Sequence, residues 1–203
     1  MSIAVIDFGM GNLQSVVNAL EFLGIPHLIV RTPLEVRSAK RLLLPGVGSF
    51  YRAMENLNAS GLAEAIKDAT NDGTPLLGIC LGMHLLAEFG DEGGGTAGLG
   101  LLRGRVIKLP AGHGLRIPHM GFNDVLIEVE HPLLADIVNG SHFYFAHSYQ
   151  FSDNDDQIVA RATYGVTFPA IIASGMVMGT QFHPEKSQSQ GLCLLRNFFE
   201  LPC

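Results

Sequence analysis

Pro75-Leu76-Leu77-Gly78-Ile79-Cys80-Leu81-Gly82-Met83-His84 is the stretch on which the reading of this chain turns. Its apolar run, Leu76 to Ile79, has the character of a strand buried on both faces of a parallel sheet. The run ends at Cys80, with Gly78 two residues before and Gly82 two after. Met83-His84-Leu85-Leu86-Ala87-Glu88-Phe89 then has helical composition. Strand, Gly-x-Cys-x-Gly, helix is the thiol form of a nucleophile elbow. In such a strained turn, small flanking residues let neighbouring backbone approach the reactive atom. The turn aims the sulfur at the N-terminus of the next helix, where partial positive charge favours thiolate. Backbone N–H groups just past it, Leu81 first, can hold an oxyanion. A cysteine at a strand end also serves as a small buried hydrophobe, so catalysis requires a base from elsewhere in the chain.

Working back from the elbow, Arg41-Leu42-Leu43-Leu44 reads as a strand that runs into Pro45-Gly46-Val47-Gly48-Ser49-Phe50. A loop with these glycines can present backbone N–H groups to a ligand or flip them. Earlier still, Ile3 to Ile6 and His27 to Val30 are strands. Between them Leu13, Val16, Val17, Leu20 and Leu23 recur at helical spacing, with Asn12 as N-cap and Gly24 as the stop. Thr32-Pro33 opens a short helix, and two further helices are expected at about 51–58 and 61–72. The first 90 or so residues therefore alternate strand and helix, which implies a right-handed, doubly wound α/β sheet of flavodoxin-like type. Ligands of such sheets bind at the carboxyl ends of the strands. Asp7-Phe8-Gly9, Pro45 to Gly48 and Cys80 all fall there. Gly9 and Gly11 do not complete a dinucleotide loop, because Gln14 stands where a third glycine belongs.

Beyond the elbow, Asp91 to Gly100 carries five glycines and reads as a flexible loop. Leu102 to Leu109, Asn123 to Val129, His142 to Tyr149, Ile158 to Ala162, Ala170 to Ala173 and Val177 to Phe182 are short strand-like runs. Turns such as Asp153-Asn154-Asp155-Asp156 and Ser174-Gly175 separate them, so this half should be antiparallel-rich. A short helix is expected near 133–138. Gln188 to Glu200 reads as a closing helix with Leu192, Leu195 and Phe199 inward.

At 203 residues with 47% hydrophobic and 16% charged residues, one domain spanning 1–203 is expected. The formal charge of −6, without a block of like charge, argues against nucleic acid or an anionic membrane as partner. There is no apolar run long enough for a transmembrane helix. Met1 to Asp7 lacks the basic region of a signal peptide. Cys80, Cys193 and Cys203 show neither a disulfide framework nor a zinc spacing, and a reducing, cytoplasmic setting is expected.

The base comes from Gly179-Thr180-Gln181-Phe182-His183-Pro184-Glu185-Lys186-Ser187. Pro184 keeps His183 out of a helix and fixes a bend. On that bend Glu185 can orient the imidazole while the imidazole faces a thiol, the arrangement that a Cys–His–carboxylate triad requires.

The elbow, the Pro45-Gly46-Val47-Gly48 loop and the Gly179 to Ser187 segment, in this order, resemble the class I (triad) glutamine amidotransferases. The likeness is closer to the glutaminase subunits of imidazole glycerol phosphate synthase. That branch is matched by Asp7 to Val16, Ile117-Pro118-His119-Met120-Gly121-Phe122-Asn123 and Tyr144-Phe145-Ala146-His147-Ser148-Tyr149. The resemblance covers Ile3 to Phe199. It implies that Cys80 attacks the side-chain amide of glutamine, with His183 as base and then acid, and Glu185 orienting His183. It implies an oxyanion site of backbone N–H groups from Gly46, Val47, Gly48 and Leu81. Ser148, Tyr149 and the residue at position 84 would contact the substrate. The resemblance also implies transfer of ammonia through a sheltered channel to a (β/α)8 cyclase subunit, in a heterodimer, with Pro118, Phe122, Tyr144 and Lys186 at the interface. No cofactor and no metal is implied.

Two positions depart from the family pattern. His84 stands where the family commonly has Gln, and Phe122 where it often has Trp. Both leave the triad intact. They also keep open a related glutaminase that supplies a sugar-amidating enzyme of surface polysaccharide synthesis. A non-catalytic docking subunit and a lone cysteine hydrolase are the readings from other classes; the intact Cys80, His183 and Glu185 speak against the first, and the His183-Pro184-Glu185 turn against the second.

Overall fold

The computed structural model describes residues 2–110, 115–152 and 155–202. Its first half is β1 (Ile3–Ile6), α1 (Leu13–Phe22), β2 (His27–Val30), α2 (Pro33–Arg37), β3 (Leu42–Gly46), α3 (Phe50–Ala59), α4 (Leu62–Asn71), β4 (Leu76–Cys80) and α5 (Leu81–Leu85). The expected alternation is therefore present. The helices begin and end for local reasons. Gly24, at φ +66°, takes the left-handed position after α1, and its N–H donates to the Glu21 carbonyl. Thr32 and Glu35 cap the start of α2 reciprocally. Asn12 precedes α1 but its side chain makes no capping bond.

The second half holds β5 (Phe89–Gly90), β6 (Thr96–Ala97), β7 (Arg105–Lys108), β8 (His119–Ile127), β9 (Ser141–His147), β10 (Tyr149–Phe151), β11 (Ile158–Tyr164), β12 (Val166–Ser174), β13 (Val177–Thr180) and α6 (Gln188–Glu200). Nine strands form one sheet in the order β2-β1-β3-β4-β13-β12-β11-β8-β9, and four form a second in the order β10-β7-β5-β6. From β2 to β13 the large sheet is parallel, and from β13 to β9 it is antiparallel. Ile3, Val5, Leu42, Leu43, Leu44, Leu76 and Leu77 are wholly buried, as strands covered on both faces must be.

Register is what assembles the site. β4 lies between β3 and β13, with Gly46 opposite Cys80 and Thr180 opposite Ile79. The carboxyl ends of these three strands carry the Gly46 to Gly48 loop, the cysteine, and the Gln181-Phe182-His183 segment. The His183 N–H donates to the Tyr144 carbonyl at 2.9 Å, so β9, at the far end of the strand order, closes over the same end of the sheet. Phe143 stacks on Phe182 at 4.1 Å between centroids and Phe145 meets it edge-on at 5.7 Å. Burying a ring of this size contributes about 2–3 kcal/mol, which holds the two halves together here.

Several expectations need correction. The helix after Cys80 is Leu81–Leu85, shorter than Met83 to Phe89, because the 98–102 segment takes its carbonyls. Leu99 N–H donates to Leu85 O, and Leu101 and Leu102 N–H both donate to Leu86 O. Five residues make a weak macrodipole. Residues 91–100 are not a plain loop, since they hold a 3₁₀ turn at Glu92–Gly94 and strand β6. Only Arg105–Lys108 of the run from Leu102 is strand. The run expected from Asn123 begins instead at His119. The run His142 to Tyr149 breaks at Ser148, whose carbonyl accepts from Leu109 N–H, and Tyr149 starts a strand of the other sheet. The helix near 133–138 is a 3₁₀ turn, Pro132–Leu134, followed by Asp136 at φ +61°. On α6 the buried face is Gly191, Leu194, Leu195 and Phe198, while Leu192 and Phe199 are partly buried. Arg41 fastens the end of α6 to the start of β3 by donating to the Phe198 and Leu201 carbonyls. Cys203 and Asp153-Asn154 lie outside the described residues.

The glycines at the elbow are required by contact. A Cβ on Gly78 would stand 2.6 Å from the Gly82 carbonyl group, and one on Gly82 would overlap the Leu44 carbonyl oxygen. Gly82→Ala is expected to destabilise the fold by about 3 kcal/mol, a fall of roughly 6–12 °C in melting temperature for a domain of this size. Thermal unfolding followed by circular dichroism checks it, and an unchanged midpoint would contradict the close packing of β3 on the elbow.

Candidate active site

Cys80 closes β4 at φ +54°, ψ −107°, a conformation that costs a non-glycine residue energy and that the surrounding packing must hold. Its residue is 6% exposed. The sulfur lies 3.9 Å from the Ala146 carbonyl oxygen and 4.0 Å from Gln181 Nε2. The strained turn and the contact-bound glycines together make the elbow that the sequence spacing suggests.

His183 stands beside Cys80 on one side, near enough for the sulfur to act on the ring. On the other its Nδ1 lies 2.8 Å from Glu185 Oε1, with both side chains almost wholly buried. Burial opposes charge on the ring. The hydrogen bonds and charges of Cys80 and Glu185 outweigh it, and the His183 pKa is pushed up to about 10. Ser187 fixes the bend: its Oγ donates to the His183 carbonyl at 2.6 Å and accepts from Tyr144 N–H at 2.9 Å. Thiol, imidazole and carboxylate, contributed by β4 and by the turn after β13, stand in the order needed for nucleophilic attack followed by proton return.

A cleft of about 310 Å³ opens beside the sulfur. Of the residues expected from sequence, Val47, Gly48, Leu81, His84, Ser148 and Tyr149 line it with Cys80. Gly46 lies behind, opposite Cys80 in the strand ladder. Gly48 has φ +105°, a conformation open to glycine, and Met10 packs against it. Asp7 is not in the cleft, because it pairs with Arg31 at 2.8 Å.

His84 is buried, and its Nε2 is 2.7 Å from Gln181 Oε1. Burial dominates, so its pKa falls to about 4 in spite of that bond, and the ring is neutral. The residue that departs from the family pattern is thus committed to Gln181, which in turn reaches the sulfur.

Four cleft residues escaped the sequence reading: Glu92, Val106, Ala146 and His147. Glu92 sits in the glycine-rich segment 91–100, and its Oε2 accepts from Phe50 N–H at 2.6 Å at the start of α3. Only its charge among glycines could have marked it. His147 lies within the matched Tyr144 to Tyr149 motif, but spacing alone did not separate it from its neighbours.

Three of the four residues expected at a partner interface, Phe122, Tyr144 and Lys186, lie together. Phe122 lies opposite Tyr144 in the β8–β9 ladder, with the rings edge-to-face at 5.6 Å. Lys186 Nζ stands 5.8 Å above the Tyr144 ring. Phe122 and the neighbouring Met120 are 51% and 64% exposed, so two large apolar side chains lie open there. Pro118, just before β8, lines the cleft instead.

The family model for glutamine amidotransferase class-I matches residues 4–201. The subunit named imidazole glycerol phosphate synthase subunit HisH of Geobacillus sp. (strain WCH70) is 49% identical over 201 residues, which is 97% of this chain and 95% of that protein. One named imidazole glycerol phosphate synthase subunit HisH 1, from Campylobacter jejuni, is 46% identical over 98% of this chain and 100% of its own. A crystal structure described as a glutamine amidotransferase superposes with a TM-score of 0.77 at 22% identity, covering 98% of both chains. PurLQS from Thermotoga maritima does so at 0.73 and 20%, covering 97% of this chain and 96% of that one.

Proposed function

The chain belongs to the class-I glutamine amidotransferases, and from that premise we propose that it is the glutaminase subunit of an imidazole glycerol phosphate synthase, supplying ammonia for histidine biosynthesis. The observation that carries the reading is the strained Cys80 next to a buried His183–Glu185 pair beside an open cleft. The substrate is glutamine. The Cys80 sulfur, having passed its proton to His183, attacks the side-chain amide carbon. The oxyanion that forms is met by backbone N–H groups of the Gly46 to Gly48 loop and Leu81. His183 returns the proton to the amide nitrogen, the C–N bond breaks, and ammonia leaves a thioester on Cys80. Water, deprotonated by His183, adds to the thioester; glutamate leaves and the thiolate–imidazolium pair is restored.

The backbone at Ser148 and Tyr149 suits the α-carboxylate and α-amino groups of glutamine, and the Glu92 carboxylate suits the ammonium. Ammonia protonates in water and then no longer attacks carbon, so it must travel sheltered to its acceptor. The apolar face of Met120, Phe122 and Tyr144 is where a (β/α)8 cyclase subunit would seal that route, with Lys186 facing an acidic group of the partner.

The test is glutamate release from glutamine by this chain alone, and with the cyclase subunit of the same source and its ribonucleotide ligand. At least about 10-fold stimulation in the loaded complex is expected, a coupling of more than 1.4 kcal/mol. An active chain that forms no complex and shows no stimulation would move the assignment to another ammonia acceptor.

A further inference from the structure

Behind the cleft wall lies a chain of polar groups whose hydrogen-bond directions are all determined. His147 Nδ1 is 2.8 Å from the Tyr149 carbonyl oxygen, which can only accept, so Nδ1 carries a hydrogen. His147 Nε2 is 3.0 Å from His119 Nδ1. At the far end, Asn123 Nδ2 lies 3.4 Å from His119 Nε2 and donates to the Thr163 carbonyl at 2.9 Å. Its Oδ1 accepts from Asp124 N–H at 2.9 Å, which fixes which end of the amide faces His119. His119 Nε2 must therefore accept. A neutral His119 then carries its hydrogen on Nδ1 and donates it to His147 Nε2. Tyr164 and Phe145 stack on the His119 ring at 4.1 and 4.9 Å, and hold it in plane.

Protonating His147 would set its new Nε2–H against the His119 Nδ1–H. His119 could yield only by moving its hydrogen to Nε2, where Asn123 N–H already points. We infer that Asn123 and His119 lock His147 in its neutral Nδ1–H tautomer, so that His183 is the one proton carrier at Cys80 and departing ammonia passes a wall with no proton to give. The inference rests on the amidotransferase reading. His119 and Asn123 are positioning residues in it, acting through His147.

The ionisable groups around His147 are Cys80, His84 and Glu92 in the cleft, His183 with its partner Glu185, and His119, Tyr149 and Tyr164 on the strands. Burial is the main influence on the His147 ring and disfavours the cation; the bond to the Tyr149 carbonyl opposes it, and the neighbouring histidines side with burial.

The test uses the whole chain. Nitrogen-15 spectra of the histidine rings should show His147 as the neutral Nδ1–H form from pH 8 down to pH 5. His119→Phe keeps the stacked ring but removes the donor. Its pH profile for glutamate release should gain an acid limb above that of wild type and, because the site stays buried, below the ordinary histidine value of about 6.5. His119→Asn, whose amide nitrogen replaces Nδ1, should remove that limb again. In the loaded complex, at a pH below the new limb, His119→Phe should lose at least about half of its coupling of glutamate formed to ammonia used. A wild-type His147 that titrates between pH 6 and 7, or a folded His119→Phe with an unchanged profile, would overturn the lock. Failure of the amidotransferase reading would look different, because wild-type chain would then release no glutamate at all.

Discussion

Cys80→Ala releases glutamate from glutamine at least about 10,000-fold more slowly than wild type, by analogy with the loss of other triad nucleophiles. In complex with the cyclase subunit, the same variant keeps the synthase reaction when ammonium salt replaces glutamine. The reason is the division of labour proposed above. Cys80 makes and breaks the bonds to glutamine, whereas the acceptor chemistry belongs to the partner, which needs only ammonia. Alanine at this position keeps the strained φ and loses one small buried atom, so the fold should survive. Paired assays on the purified complex, glutamine-fed and ammonium-fed, decide it. Glutamate release within 10-fold of wild type would remove Cys80 from the nucleophile's role. Loss of both activities would point to a complex that no longer assembles.

How much of this could be read from residues alone differs by region, for physical reasons. β1, β3 and β4 were legible because each is a short apolar run buried on both faces and punctuated by glycine or proline; β2, with Leu28 and Ile29 exposed, was legible from its apolar run alone. Cys80 with its glycines was legible because a strained turn under close contact tolerates few residue types, as Gly78 and Gly82 demonstrate. His183 and Glu185 were legible as a bend, but what makes them neighbours of Cys80 is the parallel pairing of β13 with β4, across roughly a hundred residues of chain. No local signal encodes that pairing; only the resemblance anticipated it. The misread stretches are those where tertiary contact overrides local preference. Leu86 to Phe89 has helical composition, yet the carbonyls of Leu86, Ala87 and Glu88 and the Glu88 N–H are claimed by residues 98–104. His142 to Tyr149 alternates like one strand, yet Ser148 turns it from one sheet to the other. The same break brings Ser148 and Tyr149 to the cleft, so the misreading fell on its lining.

The Glu185 carboxylate is the other position where one atom decides a large effect. It is almost wholly buried, its Oε1 meets His183 Nδ1, and its Oε2 finds no hydrogen-bond partner among the described residues. A carboxylate so placed depends on the charge of the imidazolium, and the imidazolium on it. Burial works against the His183 cation; Cys80 and Glu185 more than offset it, and the ring holds its proton up to about pH 10. The sign follows from a pKa raised above the ordinary 6.5. The protonated form, which must give its proton to the departing nitrogen, is complete at neutral pH and is lost as pH rises through about 10. The wild-type rate should therefore show its alkaline limb near pH 10, not near 6.5. Glu185→Gln removes one of the two anions that raise the pKa, so the limb should move to lower pH. The amide can also present N–H toward Nδ1 and favour the wrong tautomer, and the maximal rate should fall by about 100-fold to 10,000-fold. Initial rates of glutamate formation between pH 6 and 10.5 measure limb and maximum together. A variant with a lowered maximum and an unmoved limb would mean that Glu185 orients His183 without holding its charge; a moved limb with an undiminished maximum would mean the reverse.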